Sequence, residues 1–163
     1  MWFTSGIAAH TKGMAFGFTV LFLGRMLIFP IATLILRGVF GCNKLSRTNP
    51  GGLMVIETIF PMIGGLLAAW LLLPYRPDFV FSMSAIAVGT HYFGFRSAYG
   101  DWTNWILGGA ICSVGVTAIF AGLPTAPMVP FVIAVLEMVF GFWLTWISLS
   151  KDRPAKLNSN VGR

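Results

Sequence analysis

The sequence predicts an all-α integral membrane protein, a helical bundle of about five transmembrane helices, and three observations carry that prediction. Of the 163 residues, 56% are hydrophobic and only 10% charged, against about 25% charged in soluble domains. A chain this short has too little interior to hide so much apolar surface from water, and its mean hydropathy is +0.81. The apolar residues also fall into five long runs, and a hydrocarbon core about 30 Å thick takes roughly 20 residues of helix to cross. None of the runs alternates polar and apolar with period two, as barrel strands do. Backbone groups in lipid must be satisfied internally, which leaves helices.

The first run covers Gly13–Leu36 and ends at Arg37. Asn43 to Gly52 is the one long loop; Asn49 is placed to cap the next helix, with Pro50 at its first position, where the missing N–H costs nothing. The second run, Leu53–Leu73, stops at the turn Pro74-Tyr75-Arg76-Pro77-Asp78. Asp78 is placed to cap the third, Phe79–Phe95, and Gly100-Asp101 to open the fourth, Trp102–Leu123. Residues 122–127 then lead into the fifth, Val129–Leu149. With no internal repeat and no low-complexity tract, residues 1–163 read as a single transmembrane domain.

A net charge of +6 and a pI near 9.9 raise the question of nucleic acid, but no RNA- or DNA-binding motif accompanies the charge. The basic residues sit instead at the ends of apolar runs. Five spans place Arg37, Lys44, Arg47, Arg96, Lys151, Arg153, Lys156 and Arg163 on one side, and Lys12 and Arg76 on the other. That bias predicts a cytoplasmic C-terminus. Residues 1–11 hold no lysine or arginine, which does not fit a secretory signal peptide. Trp102, Trp105, Tyr75, Trp143 and Trp146 fall at run ends, where aromatic residues anchor helices at the interface.

Ionisable residues inside a membrane are costly and so draw attention. At about 1.5 Å per residue, Arg25 and Glu137 share the midplane, while Glu57 and His91 share a shallower, cytoplasmic level. Each level holds one potential cation and one carboxylate, and pairing within each level is expected, because an unpaired charge in hydrocarbon costs several kcal/mol. Helical spacing puts Pro61, Gly64, Gly65 and Ala68 on the face of Glu57. It puts Pro130, Ala134, Gly141, Thr145 and Ser148 on that of Glu137, and Ser84 and Ala87 on that of His91. Small residues let membrane helices approach, so both carboxylates are expected to face protein. Gly109, Ser113, Thr117 and Ala121 form a further ribbon, read as a packing seam. Tyr92, Arg96, Tyr99 and Asp101 make a polar cytoplasmic rim beside His91.

Phosphate loops, H-E-x-x-H and nucleophile elbows are absent from the sequence, so no catalytic residue is assigned. His10 and His91 fall near opposite faces, and Cys42 and Cys112 at different depths; no metal site, disulfide or cofactor is expected. Two functional readings follow. In the first, the polar groups form an intramembrane site that binds or transports a small solute or protons. The alternative is a non-catalytic structural or accessory membrane subunit. The partners expected are the lipid bilayer and, in it, a second copy of the chain or another membrane protein.

Certain motifs carry a resemblance. Phe29-Pro30, Asn49-Pro50-Gly51-Gly52, Val88-Gly89-Thr90-His91-Tyr92-Phe93 and Tyr99-Gly100 resemble those of a family of small, uncharacterised bacterial multi-pass membrane proteins, a domain of unknown function. The likeness runs from Arg25 to about Phe120, with Gly94 where the family usually has proline. It implies a bacterial inner-membrane location and a six-helix parent, of whose truncated first helix residues 1–11 are the remnant. It implies no activity.

Overall fold

In the computed structural model, described for residues 1–39, 50–100, 102–123 and 125–158, the chain is all-α. Six helices follow one another: α1 (Trp2–Lys12), α2 (Met14–Gly38), α3 (Pro50–Leu72), α4 (Val80–Tyr99), α5 (Trp102–Phe120) and α6 (Val129–Asn158). The expectation of about five is therefore corrected to six. The additional helix is α1, formed by residues set aside in the sequence as a remnant. Its 11 residues rise about 16 Å, roughly half of a hydrocarbon core.

Gly13 makes α1 possible. It adopts φ 93°, a conformation that a side chain disfavours, and there the chain reverses. The helix end stays satisfied: the Gly13 N–H donates to Ala9 O at 3.0 Å, and the Gly17 N–H to Gly13 O at 3.1 Å. Folding back, α1 runs antiparallel to α2, with Ala9 against Gly17 and the Met1 side chain against Gly24. A Cβ at Gly24 would stand 2.6 Å from the Met1 sulfur. The missing side chains are what let the two helices touch.

Helix α4 is the centre of the bundle. It packs along both α3 and α5 and also touches α2 and α6. Its buried residues include Val80, Phe81, Ser82, Ser84, Ala85 and Val88. Small side chains set the approach on both flanks. Gly89 lies against Gly108 and Cys112 of α5, Gly115 against the Ser82 carbonyl, and Gly65 of α3 against Ala87. The α5 seam therefore runs through Leu107, Gly108, Ile111, Gly115 and Ala118. The ribbon expected to pack, Gly109, Ser113, Thr117 and Ala121, lies one position away. Ser113, Thr117 and Ala121 are exposed, and nothing approaches Gly109 within 4 Å.

Helix ends depart from the expected boundaries in ways the chain explains. Pro50 does begin α3; Asn49, Asp101 and Cys42 lie outside the described residues. Asp78 makes no cap hydrogen bond. It sits in a 3₁₀ turn, Pro77–Phe79, and accepts from Arg76 at 3.0 and 3.3 Å. That hydrogen bond holds the Asp78 carboxyl below its ordinary pKa of 3.8. Helix α4 continues four residues past the expected end, to Tyr99, where Gly100 at φ 72° closes it by donating to Arg96 O at 2.7 Å. Helix α6 continues past Leu149 into the basic tail, as far as Asn158.

Among the described residues, three stretches are long and apolar enough to cross a membrane: Met14–Ile35, Trp102–Phe120 and Val129–Ile147; Ile56–Leu72 is a shorter apolar stretch. Their outer surfaces are apolar as well. Leu34, Leu71, Phe120, Phe142 and Trp146 each leave between 71% and 85% of their surface uncovered.

Candidate functional site

Four helices bring one polar side chain each to a common point. Arg25 of α2 forms an ion pair with Glu137 of α6, through Nη2 and Oε1. Trp2 of α1 donates its indole N–H to the same oxygen at 3.1 Å. Tyr92 of α4 donates its hydroxyl to it at 3.2 Å. The Arg25 guanidinium also stands 5.4 Å from the Trp2 ring. One carboxylate oxygen thus accepts from three donors. Hydrogen bonds to an ionised acceptor are about twice as strong as neutral ones, and here each ties α6 to a different helix.

Local sequence explains how each donor arrives. In α1 the buried residues are Trp2, Ser5, Gly6 and Ala9, spaced i, i+3, i+4, i+7, so one face turns inward with the indole at its end. Gly6 lets α1 lie against Phe131 of α6, whose ring atoms come within 2.8 Å of where a Cβ would stand. Ala134, one turn before Glu137, is buried, and so is Pro130. Further along the same face, Gly141 and Thr145 are exposed, so only the first half of that face is covered; the Ser148 side chain lies outside the described residues.

The node is not sealed. Glu137 keeps 23% of its side-chain surface accessible, and Arg25 keeps 12%. Glu137 lines a cleft of about 410 Å³ with Met1, Trp2, Phe3, Ala134 and Met138. Among the described residues Arg25 Nε is buried with no hydrogen-bond partner, an exception to the usual satisfaction of buried donors.

The shallower level is built otherwise than by the expected pair. His91 Nδ1 lies 2.8 Å from the Thr58 hydroxyl, and its ring meets Phe95 edge-on at 4.8 Å. Glu57, next to Thr58, is exposed and forms no ion pair with His91. Pro61, Gly64 and Ala68 are exposed beside it, and of the four residues expected on its face only Gly65 packs inward, on Ala87 of α4. The cause is angular. Neighbouring residues on a helix point about 100° apart, and it is Thr58 that faces α4, where Gly94 packs against it.

The expected rim divides too. Tyr92 belongs to the central node. Arg96 stacks on aromatic rings, 3.3 Å from the Trp102 centroid and 4.9 Å from that of Trp105. The Tyr99 side chain and Asp101 lie outside the described residues. His10 is exposed at the far end of α1, and Cys112 packs on Gly89. Among the described residues, no three His, Cys, Asp or Glu side chains gather as a metal site would require.

The pairing of Arg25 with Glu137 is legible in the sequence as a shared depth, whereas Trp2 carries no such mark and Tyr92 joins this node instead of the expected rim. For Trp2 the signal available is its spacing from Ser5, Gly6 and Ala9. Residues 1–146 match the model of a family of unknown function (DUF7010). That span takes in α1 and exceeds the likeness read from the motifs. No curated protein and no solved structure matches the chain.

Proposed function

The chain belongs to this family of unknown function, and we propose that it is a multi-pass integral membrane protein acting as a structural or accessory membrane subunit. The observation that carries this reading is the convergence of Arg25, Trp2 and Tyr92 on one oxygen of Glu137. A charge so compensated is suited to fixing the relative register of four helices and poorly suited to exchanging a proton or a ligand. The apolar outer surface supports the bilayer as its surroundings, since exposed patches of that extent are not left to water. The bias of basic residues supports a cytoplasmic C-terminus, and the motif resemblance supports a bacterial inner membrane.

A second reading has its own support. The cleft beside Glu137 and the 23% of the Glu137 side chain that stays accessible favour binding of a small solute at the node.

A double-mutant cycle separates the two readings. Removing one member of a buried pair costs about 3–5 kcal/mol, whereas replacing both with apolar residues is often neutral. For the structural reading, Arg25→Met and Glu137→Met each destabilise the detergent-solubilised protein by that amount, and the double variant recovers most of it and complements a deletion strain. Solute binding predicts a double variant that folds but fails to complement, together with a ligand in a panel of ions and metabolites that raises the Tm of the wild type alone.

A further inference from the structure

We propose that the second carboxylate oxygen of Glu137, Oε2, accepts a hydrogen bond from the hydroxyl of an uncharged, lipid-soluble alcohol or phenol whose apolar body fills the cleft between α1 and α6. This rests on the second reading above, that a small solute binds at the node, and names its chemical class.

The node itself sets the acceptor apart. Trp2, Arg25 and Tyr92 all donate to Oε1, and among the described residues none donates to Oε2. An ionised carboxylate has acceptor capacity on both oxygens. Part of the Glu137 side chain stays accessible, and it is Glu137 that supplies the one charged group lining the cleft. Trp2 and Ala134 form the buried wall of that cleft, while Met1, Phe3 and Met138, each just over half exposed, form its rim. Glu137 stands next to the midpoint of the apolar stretch Val129–Ile147. In a bilayer the cleft therefore opens at hydrocarbon depth, where water is not at hand to satisfy a polar atom.

Charge selects the occupant. Arg25 and Glu137 already neutralise one another, so a cationic solute would bring an uncompensated charge into apolar surroundings. An anion would meet a carboxylate oxygen and be repelled. An uncharged molecule with a single donor satisfies Oε2 and leaves the balance intact. Its body meets a matching surface: apart from Glu137 the lining is apolar or aromatic, and the volume is about 410 Å³. Ligand sites run to roughly 300–1,000 Å³, with apolar walls and a few placed polar groups. Two of the three rim residues are methionines, whose unbranched side chains adapt to the shape of a ligand.

The full chain in nanodiscs is titrated with 4-hexylphenol, 1-decanol, the methyl ether of each, and decylammonium. Binding is read by ligand-observed NMR, with empty nanodiscs as the blank. At least one hydroxyl probe is expected to bind about tenfold or more tightly than its methyl ether and than decylammonium, as a hydrogen bond to an ionised acceptor implies; whichever binds tells an aliphatic alcohol from a phenol. Glu137→Gln puts an amide NH₂ in place of one oxygen and is expected to abolish the preference. Met138→Trp fills the rim without touching the node and is expected to weaken hydroxyl and ether alike, which keeps the test in force should Glu137→Gln fail to fold. Equal affinity for hydroxyl and ether, tighter binding of decylammonium, a preference kept in Glu137→Gln or affinities unchanged in Met138→Trp overturns this inference and leaves solute binding standing. No probe bound above the blank overturns it together with the second reading. Protein that washes off vesicles in alkaline carbonate overturns the membrane reading and this inference with it.

Discussion

Trp2 donates its indole N–H to Glu137 at 3.1 Å across 135 residues of chain, joining the first helix to the last. The bond goes to an ionised acceptor, and such bonds contribute about 1.5–3 kcal/mol. Trp2→Phe keeps an aromatic ring and removes the donor, so it is expected to lower unfolding free energy by that amount. Tyr92→Phe, which removes only a hydroxyl, tests the second neutral donor at the same oxygen. Chemical unfolding in detergent measures both, and no change in either variant would deny the carboxylate its role as the meeting point.

Gly108 and Gly109 are neighbours with opposite expectations. A Cβ at Gly108 would lie 2.7 Å from the Gly89 carbonyl oxygen, a backbone atom that cannot swing aside. Gly108→Ala should therefore cost about 1–3 kcal/mol through overpacking. At Gly109 nothing stands within 4 Å, and alanine there should stabilise by about 0.4–1 kcal/mol by restricting the unfolded chain. Thermal unfolding of the two variants side by side decides the register of the α4–α5 seam. A reversed order would place the seam where Gly109 is.

At the shallower level the important hydroxyl is that of Thr58. Thr58→Val keeps the shape and removes the partner of His91, with an expected loss of about 0.5–1.5 kcal/mol. Glu57→Gln, on the outward face, is expected to change stability by less than about 0.5 kcal/mol. A larger effect at Glu57 than at Thr58 would restore the carboxylate to the interior.

Acid should act on the turn before α4. The hydrogen bond from Arg76 favours the ionised form of Asp78, so its folded-state pKa lies below the unfolded value. The stabilisation is complete above the unfolded pKa and disappears as pH falls through the folded one, a window below about pH 4. Both side chains are exposed, so the effect on global stability is small and the titration itself is the readout. With carboxyl-labelled aspartate, the Asp78 signal should titrate with a midpoint below 3.8, and Arg76→Gln should return it to the ordinary range.

What the sequence disclosed divides along a geometric line. Rise along a helix is fixed per residue, so the shared depth of Arg25 and Glu137 could be reckoned from position, and the two meet. Rotation about the axis was less legible. Glu57 and Thr58 lie at nearly one depth, and which of them faces α4 depends on where small residues permit contact. Glycine occupies both 108 and 109, so spacing alone left the seam of α5 ambiguous by one position. Helix α1 was obscured differently. Eleven residues are too few for a span, and only the reversal at Gly13 reveals that they can pack against a span instead. Helix α4, packed against α2, α3, α5 and α6, carries Ser82 and Ser84 in its buried interior, where a peripheral helix would need hydrocarbon.

The convergence on Glu137 also imposes an order on biosynthesis. Arg25 leaves the ribosome 112 residues ahead of the carboxylate it pairs with, a delay of roughly 6 to 22 s at translation speeds of about 5–20 residues per second. Throughout that interval the nascent chain holds its guanidinium without the acceptor it has in the finished protein, and α1 has no far wall to lean on. Closure awaits the last helix. Quality control that recognises an unpaired arginine would therefore distinguish chains that have received α6 from chains that have stalled before it.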